Sequence, residues 1–379
     1  HHISPTDTLS LYQFDYYAPK LDYYNVDQWG YYNNRPSDDW KTEDMSPQLT
    51  YAQLNALKTI SSANGATKSF VYELNSGYSA TVDGESDQGG GLRIASITEQ
   101  IGNQKYTISY QYLREDGKSS GWYCSKEAPC YWYVKTENNG HKITETPADA
   151  SNRIQYDING AYIGYSRVKE ILPNGSANVY EYTSFNDYID TAPTIRSFKQ
   201  DASQNWVLDT VEDRTHHVSK TSQFWKRGIL RCQKSYDNTG NLITSTKYCY
   251  NLDHTPVKAR IDCSNLFIWG TEEEDTKDFG GNIIKYNSNR ERCIGDYTWY
   301  SMPVILDSVV TLKGKYNLQS KTVFTYDMEH LVPTTVTATD AAGKQMKTVT
   351  KYPFHYTFGN QTLYGTAKAL EHMARHNIL

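Results

Sequence analysis

Tyr236-Asp237-Asn238-Thr239-Gly240-Asn241-Leu242-Ile243 decides the fold class. An aspartate opening a tight turn accepts backbone N–H groups two residues on. A glycine three places later supplies the left-handed conformation of a type I turn closed by a bulge. The stretch therefore doubles back, with Tyr236 packing across the hairpin. The pattern D-x-x-G-[NK] returns at Asp278-Phe279-Gly280-Gly281-Asn282 and at Asp340-Ala341-Ala342-Gly343-Lys344. Asp237 and Asp278 are expected to begin turns, with Gly240 and Gly281 at positive φ. The copies are unevenly spaced, which makes a loose repeat and not a strict solenoid.

Outward from these turns the chain alternates with period two. Tyr106-Thr107-Ile108-Ser109-Tyr110-Gln111-Tyr112, Thr322-Val323-Phe324-Thr325-Tyr326 and Thr334-Thr335-Val336-Thr337-Ala338-Thr339 read as half-buried strands. Glu115-Asp116-Gly117, Asn138-Asn139-Gly140 and Pro173-Asn174-Gly175 are further turn signals. Two segments have helical spacing. One begins at Ser46-Pro47 and carries Leu49, Leu54 and Leu57, a short helix near 47–58; the other runs from Thr366 to Asn377. No helix separates successive strands, which disfavours a parallel α/β fold.

Composition agrees. The 379 residues include 33 Tyr, 8 Trp and 10 Phe. With glycine counted in and tyrosine out, apolar residues are about 36%, against a usual level of about 45–50%. Tyrosine suits a half-buried pleated surface better than a thick, dry core. There are 38 basic and 43 acidic residues, a net charge of −5, with no basic block in the sequence. That argues against nucleic acid and acidic membranes as main partners. No apolar run approaches a membrane span, and no signal peptide is visible. His1-His2 reads as a tag remnant, so residues 1–8 are expected to lie outside the fold.

The six cysteines are Cys124, Cys130, Cys232, Cys249, Cys263 and Cys293, none in a C-x-x-C spacing. Zinc and thioredoxin-type redox chemistry are disfavoured, and both disulfides and reduced thiols stay open. If Asp237 pairs with Asn241, Cys232 faces Thr246, so Cys232 and Cys249 are not expected to bond. Cys263 and Cys293 fail the same test. Gly121-Trp122-Tyr123-Cys124 and Cys130-Tyr131-Trp132-Tyr133 mirror each other across a loop that contains Pro129. A hairpin centred there would set Cys124 against Cys130 and Trp122 against Trp132 on one face. The expectation is a Cys124–Cys130 disulfide, which would place the protein outside the cytosol. Trp122, Trp132, Tyr131 and Tyr133 are the candidate ligand platform, because aromatic faces stack on sugar rings and peptide side chains. Cross-strand packing of the same rings is the alternative.

The D-x-x-G segments resemble those of YD-repeat or RHS-repeat proteins: Tyr236-Asp237 with Gly240-Asn241 and Tyr248 is close to their repeat unit. Asp27-Gln28-Trp29-Gly30-Tyr31-Tyr32-Asn33, Gly90-Gly91-Leu92-Arg93-Ile94, Tyr162-Ile163-Gly164-Tyr165-Ser166-Arg167-Val168 and Tyr180 to Asp187 resemble segments of the RHS-like cell-surface proteins of Bacteroidetes. Lys351-Tyr352-Pro353-Phe354 and the helix from Met373 to Asn377 resemble the segment after their repeats. The resemblance implies a displayed or secreted strip of β-hairpins, often within a longer polypeptide. RHS strips elsewhere wind into a shell around a toxin; this sequence has neither a dense run of repeats nor a toxin-like tail.

Other clusters favour bland readings. Glu272-Glu273-Glu274-Asp275 reads as a solvated loop. Asp83-Gly84-Glu85-Ser86-Asp87 has Gln88 where a calcium loop needs glycine and Ile94 where it needs glutamate. Gly89-Gly90-Gly91 lacks the Lys-Ser/Thr of a phosphate loop and reads as a flexible turn before a strand. His216 and His217 point to opposite faces of a strand. No nucleophile motif is present. Paired carboxylates for glycoside hydrolysis need not be near in sequence.

The sequence therefore predicts an all-β chain. It is a twisted antiparallel β-hairpin strip, open or partly wrapped, with a short helix near 47–58 and a C-terminal helix. The expected regions are 9–190, an N-terminal β region, 191–352, the YD-repeat hairpins, and 353–379, a terminal segment with the helix. The functional expectation is a non-catalytic cell-surface or secreted scaffold or interaction module with no cofactor and no metal, binding glycan or protein. The alternatives are a carbohydrate-binding or carbohydrate-degrading extracellular protein and a fragment of a toxin-delivery shell.

Overall fold

The computed structural model describes residues 11–17, 27, 29–33, 46–79, 87–124, 132–136, 143–147, 157, 159–200, 205–209, 220–252, 259–272, 276–277, 283–285, 288–359, 364–376 and 378. The chain is mostly antiparallel β-sheet. In order come β1 (Tyr12–Tyr16), α1 (Leu49–Ala52), β2 (Leu57–Ser62), β3 (Thr67–Ser79), β4 (Asp87–Ile101), β5 (Gln104–Gln111), β6 (Gly121–Tyr123), β7 (Trp132–Thr136) and β8 (Ile143–Pro147). Next are β9 (Ile163–Tyr165), β10 (Arg167–Ile171), β11 (Ala177–Tyr182), β12 (Thr194–Gln200), β13 (Trp206–Asp209), β14 (Leu230–Tyr236) and β15 (Leu242–Asn251). The remainder are β16 (Ala259–Glu272), β17 (Thr276–Lys277), β18 (Ile283–Lys285), β19 (Ser288–Ser301), β20 (Ile305–Lys313), β21 (Leu318–Asp327), β22 (Val332–Thr339), β23 (Gln345–Val349) and α2 (Gly365–Arg375).

The chain divides into two compact units, His1–Leu230 with Val257–Met302, and Arg231–Pro256 with Pro303–Leu379. The division expected at 190–191 falls inside the first unit, because β19 returns to pair with β12, Thr194 facing Asp296. In the first unit the main strand order is β1-β2-β3-β4-β5-β10-β11. β6 adds to β3 in parallel and to β9 antiparallel. A second sheet runs β13-β12-β19-β16. In the second unit the order is β14-β15-β20-β21-β22-β23. Neither order closes into a barrel.

The turns explain the meander. Asp237 and Asp340 each open a hairpin: Gly240 and Gly343 donate to the aspartate carbonyls, and Asp237 and Asp340 donate to the carbonyls of Asn241 and Lys344. Gly240 has φ +86° and Gly343 φ +83°. Gly281 lies outside the described residues. The predicted register is off by one. Cys232 faces Lys247, not Thr246, because a bulge falls between Ser235 and Tyr236. Cys249 faces Ser308. Cys232, Cys249 and Cys263 are free thiols.

The first helix is shorter than its spacing suggested. Asn55 takes a left-handed φ of +63°, and β-branched Thr59 and Ile60 belong to β2. The terminal helix, α2, forms within one residue of its expected start. No helix among the described residues is long and apolar enough to cross a membrane.

Burial follows the tyrosine-for-aliphatic exchange. The buried side chains of the first unit include Trp29, Tyr78, Tyr162, Phe185 and Trp225 together with Asp27, Asn75 and Asp157. In the second unit most residues of β20–β22 are only half-buried, and β23 is exposed throughout.

Candidate functional site

Chemistry-bearing side chains concentrate in the first unit, around two turns that repeat the Asp237 pattern in buried form. At the first, Asp27 donates to Tyr31 O (2.7 Å) and Gly30 donates to Asp27 O (3.0 Å). The amides of Trp29 and Tyr31 both donate to Asp27 Oδ1, at 2.8 and 2.9 Å. At the second, Asp157 donates to Ala161 O and Gly160 to Asp157 O, each at 2.7 Å. Gly30 and Gly160 have φ +87° and +82°.

Asp27 is fully buried, and its Oδ2 has no hydrogen-bond partner in the structure. Burial pushes its carboxyl up to about 6, against the pull of the amides of Tyr31, Trp29 and Gly30. The backbone of β4 makes the room. A Cβ on Gly90 would lie 2.7 Å from both Asp27 Oδ2 and Trp29 Cβ, and one on Gly91 would lie 2.6 Å from the Tyr31 ring. The triple glycine is thus strand interior, not the flexible turn the sequence suggested. Glycine is needed there because rings and a carboxylate approach the main chain.

Asn75 ties the turn to its neighbours. Its Nδ2 donates to Gly90 O (2.9 Å) and to the Tyr162 hydroxyl (2.7 Å), and its Oδ1 accepts from the Tyr165 hydroxyl at 2.8 Å. Arg93 donates to Tyr165 and Ser76 through Nη1 (3.0 and 3.1 Å) and to Glu73 through Nε (2.7 Å). The Arg93 guanidinium lies against the rings of Tyr112 (4.5 Å) and Tyr165 (5.2 Å). Tyr123 stacks on Trp29 and on Tyr162, with centroids 6.0 and 6.4 Å apart. Burial pushes the Tyr112 phenol up to about 12 and raises those of Tyr162 and Tyr165.

The Asp157 turn solves the same burial with a cation. Arg227 Nη1 pairs with Asp157 Oδ2 at 3.0 Å, Nη2 pairs with Asp190, and Nε donates to Tyr188 O at 2.8 Å. Ser222 donates to Asp157 Oδ1 at 2.6 Å, and the Phe185 ring lies 4.4 Å from the guanidinium. The Arg227 side chain is 5% exposed and that of Asp157 1%.

The predicted platform is not brought together as expected. Both edges of β6 are occupied: Trp122 pairs with Tyr78 on one side and Gly164 on the other. The partner of β7 is β8, with Trp132 facing Pro147, so Trp122 does not oppose Trp132. The half-buried Trp122 ring packs against Tyr78 at 5.5 Å, with the Arg114 guanidinium at 5.7 Å. Cys124 is a free thiol, and burial pushes it up to about 12. Cys130, Tyr131, the acidic run at 273–275 and His216-His217 lie outside the described residues, as do the side chains of Trp132 and Tyr133. Sequence reasoning missed Asp157, Arg227 and Asn75. Asp157-Ile158-Asn159-Gly160 carries the D-x-x-G spacing that could have flagged it.

As a chemical device the arrangement is a clasp. At neutral pH the Cys124 thiol and the tyrosine phenols keep their protons, and the Asp157 and Asp190 carboxylates are held by one guanidinium. Among the described residues no three His, Cys, Asp or Glu side chains converge to hold a metal ion.

No family model matches the chain, and no curated protein matches it. Two solved structures share limited likeness. One is the Tc holotoxin pore of Photorhabdus luminescens, at 10% identity and a TM-score of 0.13, covering 78% of this chain and 15% of that one. The other is a porin-like protein from Bacteroides uniformis, at 9% identity and a TM-score of 0.13, covering 76% and 88%. At such scores the likeness carries no argument about function.

Proposed function

We propose that the chain is a non-catalytic β-hairpin scaffold and interaction module of RHS or YD-repeat type, displayed at a cell surface or secreted, and part of a longer polypeptide. One observation carries the non-catalytic reading. Among the described residues around the two buried turns, the ionisable groups hold turns and strands, as the Arg227 bridge between Asp157 and Asp190 illustrates. An acid–base pair needs carboxylates that reach a substrate; these reach an arginine. The recurring D-x-x-G turn supports the repeat reading.

The test is incubation of the purified chain with a panel of neutral and acidic polysaccharides, with products followed by size-exclusion chromatography. Unchanged polymer sizes are expected. Depolymerisation that disappears in Asp157→Asn or Asp190→Asn would replace the scaffold with a hydrolase.

A further inference from the structure

We infer that one face of the second unit's sheet binds a linear acidic polysaccharide through Lys247, Lys321 and Lys347. This rests on the interaction-module reading and deepens it by naming the partner's chemistry. The register places the three lysines on one face. Across β15, β20, β21, β22 and β23 one row runs Lys247, Val310, Lys321, Thr339, Gln345. The next row on the same face runs Cys249, Ser308, Val323, Thr337, Lys347. Side chains two residues apart share a face of a sheet.

All three lysines are exposed, and none makes an ion pair among the described residues. The aspartates that open the flanking turns are engaged. Asp340 accepts the amides of Ala342 and Lys344, and Asp327 holds His330 and His355. Asp307, exposed at the β15–β20 bulge, is the acid beside these rows. The surrounding charge has the same sign. Of the 38 basic and 43 acidic residues, the second unit holds 11 and 7, a net +4. The first unit holds the remaining 27 and 36, a net −9.

Spacing selects the ligand class. Strands about 4.8 Å apart put Lys247 about 10 Å from Lys321, and Lys347 about 12 Å beyond it along a diagonal. Ammonium groups that far apart cannot converge on one phosphate or carboxylate. They match a chain with charges at regular intervals. Between them stand the hydroxyls of Thr337 and Thr339 and the Gln345 amide, which suit sugar hydroxyls. These two rows carry no aromatic ring, so bases have nothing to stack on. They also carry no bulky apolar group to enter a bilayer.

The experiment is affinity electrophoresis of the full chain in gels containing sodium alginate. Neutral dextran, a single-stranded DNA oligomer and phosphatidylserine vesicles serve as comparison probes at equal salt. Alginate should retard the chain at low ionic strength and release it as salt rises. A triple variant, Lys247→Gln with Lys321→Gln and Lys347→Gln, should weaken binding at least tenfold. Lys313→Gln with Lys315→Gln and Lys368→Gln removes the same charge elsewhere and should change binding less than twofold. Urea midpoints confirm that both variants fold. No retardation by alginate, equal loss in the two variants, or tighter binding of DNA or vesicles would overturn the assignment. Chromatography of the alginate afterwards separates the two readings. Shortened polymer defeats the scaffold proposal, whereas intact polymer without binding defeats only this one.

Discussion

The turns at Asp27 and Asp237 share one hydrogen-bond pattern and titrate in opposite directions. In each, two backbone amides donate to the aspartate Oδ1 and a glycine three places on takes positive φ. Asp237 is exposed. The Thr239 hydroxyl, the Asn241 amide and the Asn241 side chain hold its carboxyl down to about 2. Asp27 keeps its amides but loses water, and its carboxyl rises to about 6. Removal of water outweighs two good hydrogen bonds when the second oxygen has no donor. Asp157 is the third case, where a buried guanidinium supplies the missing counter-charge.

The largest effect should come from removing that counter-charge. Arg227→Met leaves Asp157 and Asp190 buried against an apolar side chain, and should destabilise the chain by about 3–5 kcal/mol in urea unfolding. A loss below about 1 kcal/mol would mean that Asp157 is no better balanced than Asp27.

Gly90→Ala comes next. Its Cβ would meet the Asp27 carboxylate and the Trp29 Cβ at 2.7 Å, and overpacking of this kind costs about 3 kcal/mol. A melting temperature equal to wild type would show that the Asp27 turn has slack.

Asp27→Asn sharpens the electrostatic half of the contrast. The folded carboxyl lies above its ordinary value of 3.8, so the folded state holds the proton more tightly. Its stabilising contribution is complete below about pH 4 and is lost as pH rises through about 6. The stability of the Asp27→Asn variant relative to wild type should therefore rise by up to about 3 kcal/mol between pH 4 and 7. Asp237→Asn should show the reverse sign at the acid end. Its contribution is present above the ordinary value and fades as pH falls toward 2. A flat Asp27→Asn difference from pH 4 to 7 would return the two turns to one class.

Gly240→Ala is the smallest. No atom lies within 4 Å of a Cβ there, so only the positive φ is penalised, by about 1 kcal/mol. The pair Gly90 and Gly240 thus separates steric from conformational need for glycine.

The legible parts of the fold were local. Alternation marked β5, β21 and β22, and D-x-x-G marked the hairpins at Asp237 and Asp340. The bulge beside Tyr236 was not legible, because an extra residue leaves the alternation of each arm intact. Gly89 to Gly91 looked like a turn because the atoms that require glycine there, the Asp27 carboxylate and the Tyr31 ring, are distant in sequence. The mirrored Trp122 and Trp132 suggested a hairpin, yet β3 and β9 take both edges of β6. Lys247, Lys321 and Lys347 formed no basic block in the sequence; strand register alone puts them on one face.

The parallel pairing of β3 with β6 has a kinetic consequence. Most strands here pair with a chain neighbour and close short loops. Tyr78 and Ser79 instead meet Trp122 and Tyr123 only after β4 and β5 have run out and back. Loop-closure entropy grows with the span, and non-local pairing slows folding. The β3–β4–β5 meander should therefore assemble first and serve as a template, with β6 docking late. In refolding, quenching of Trp122 by its Tyr78 and Arg114 neighbours would lag amide protection of β4.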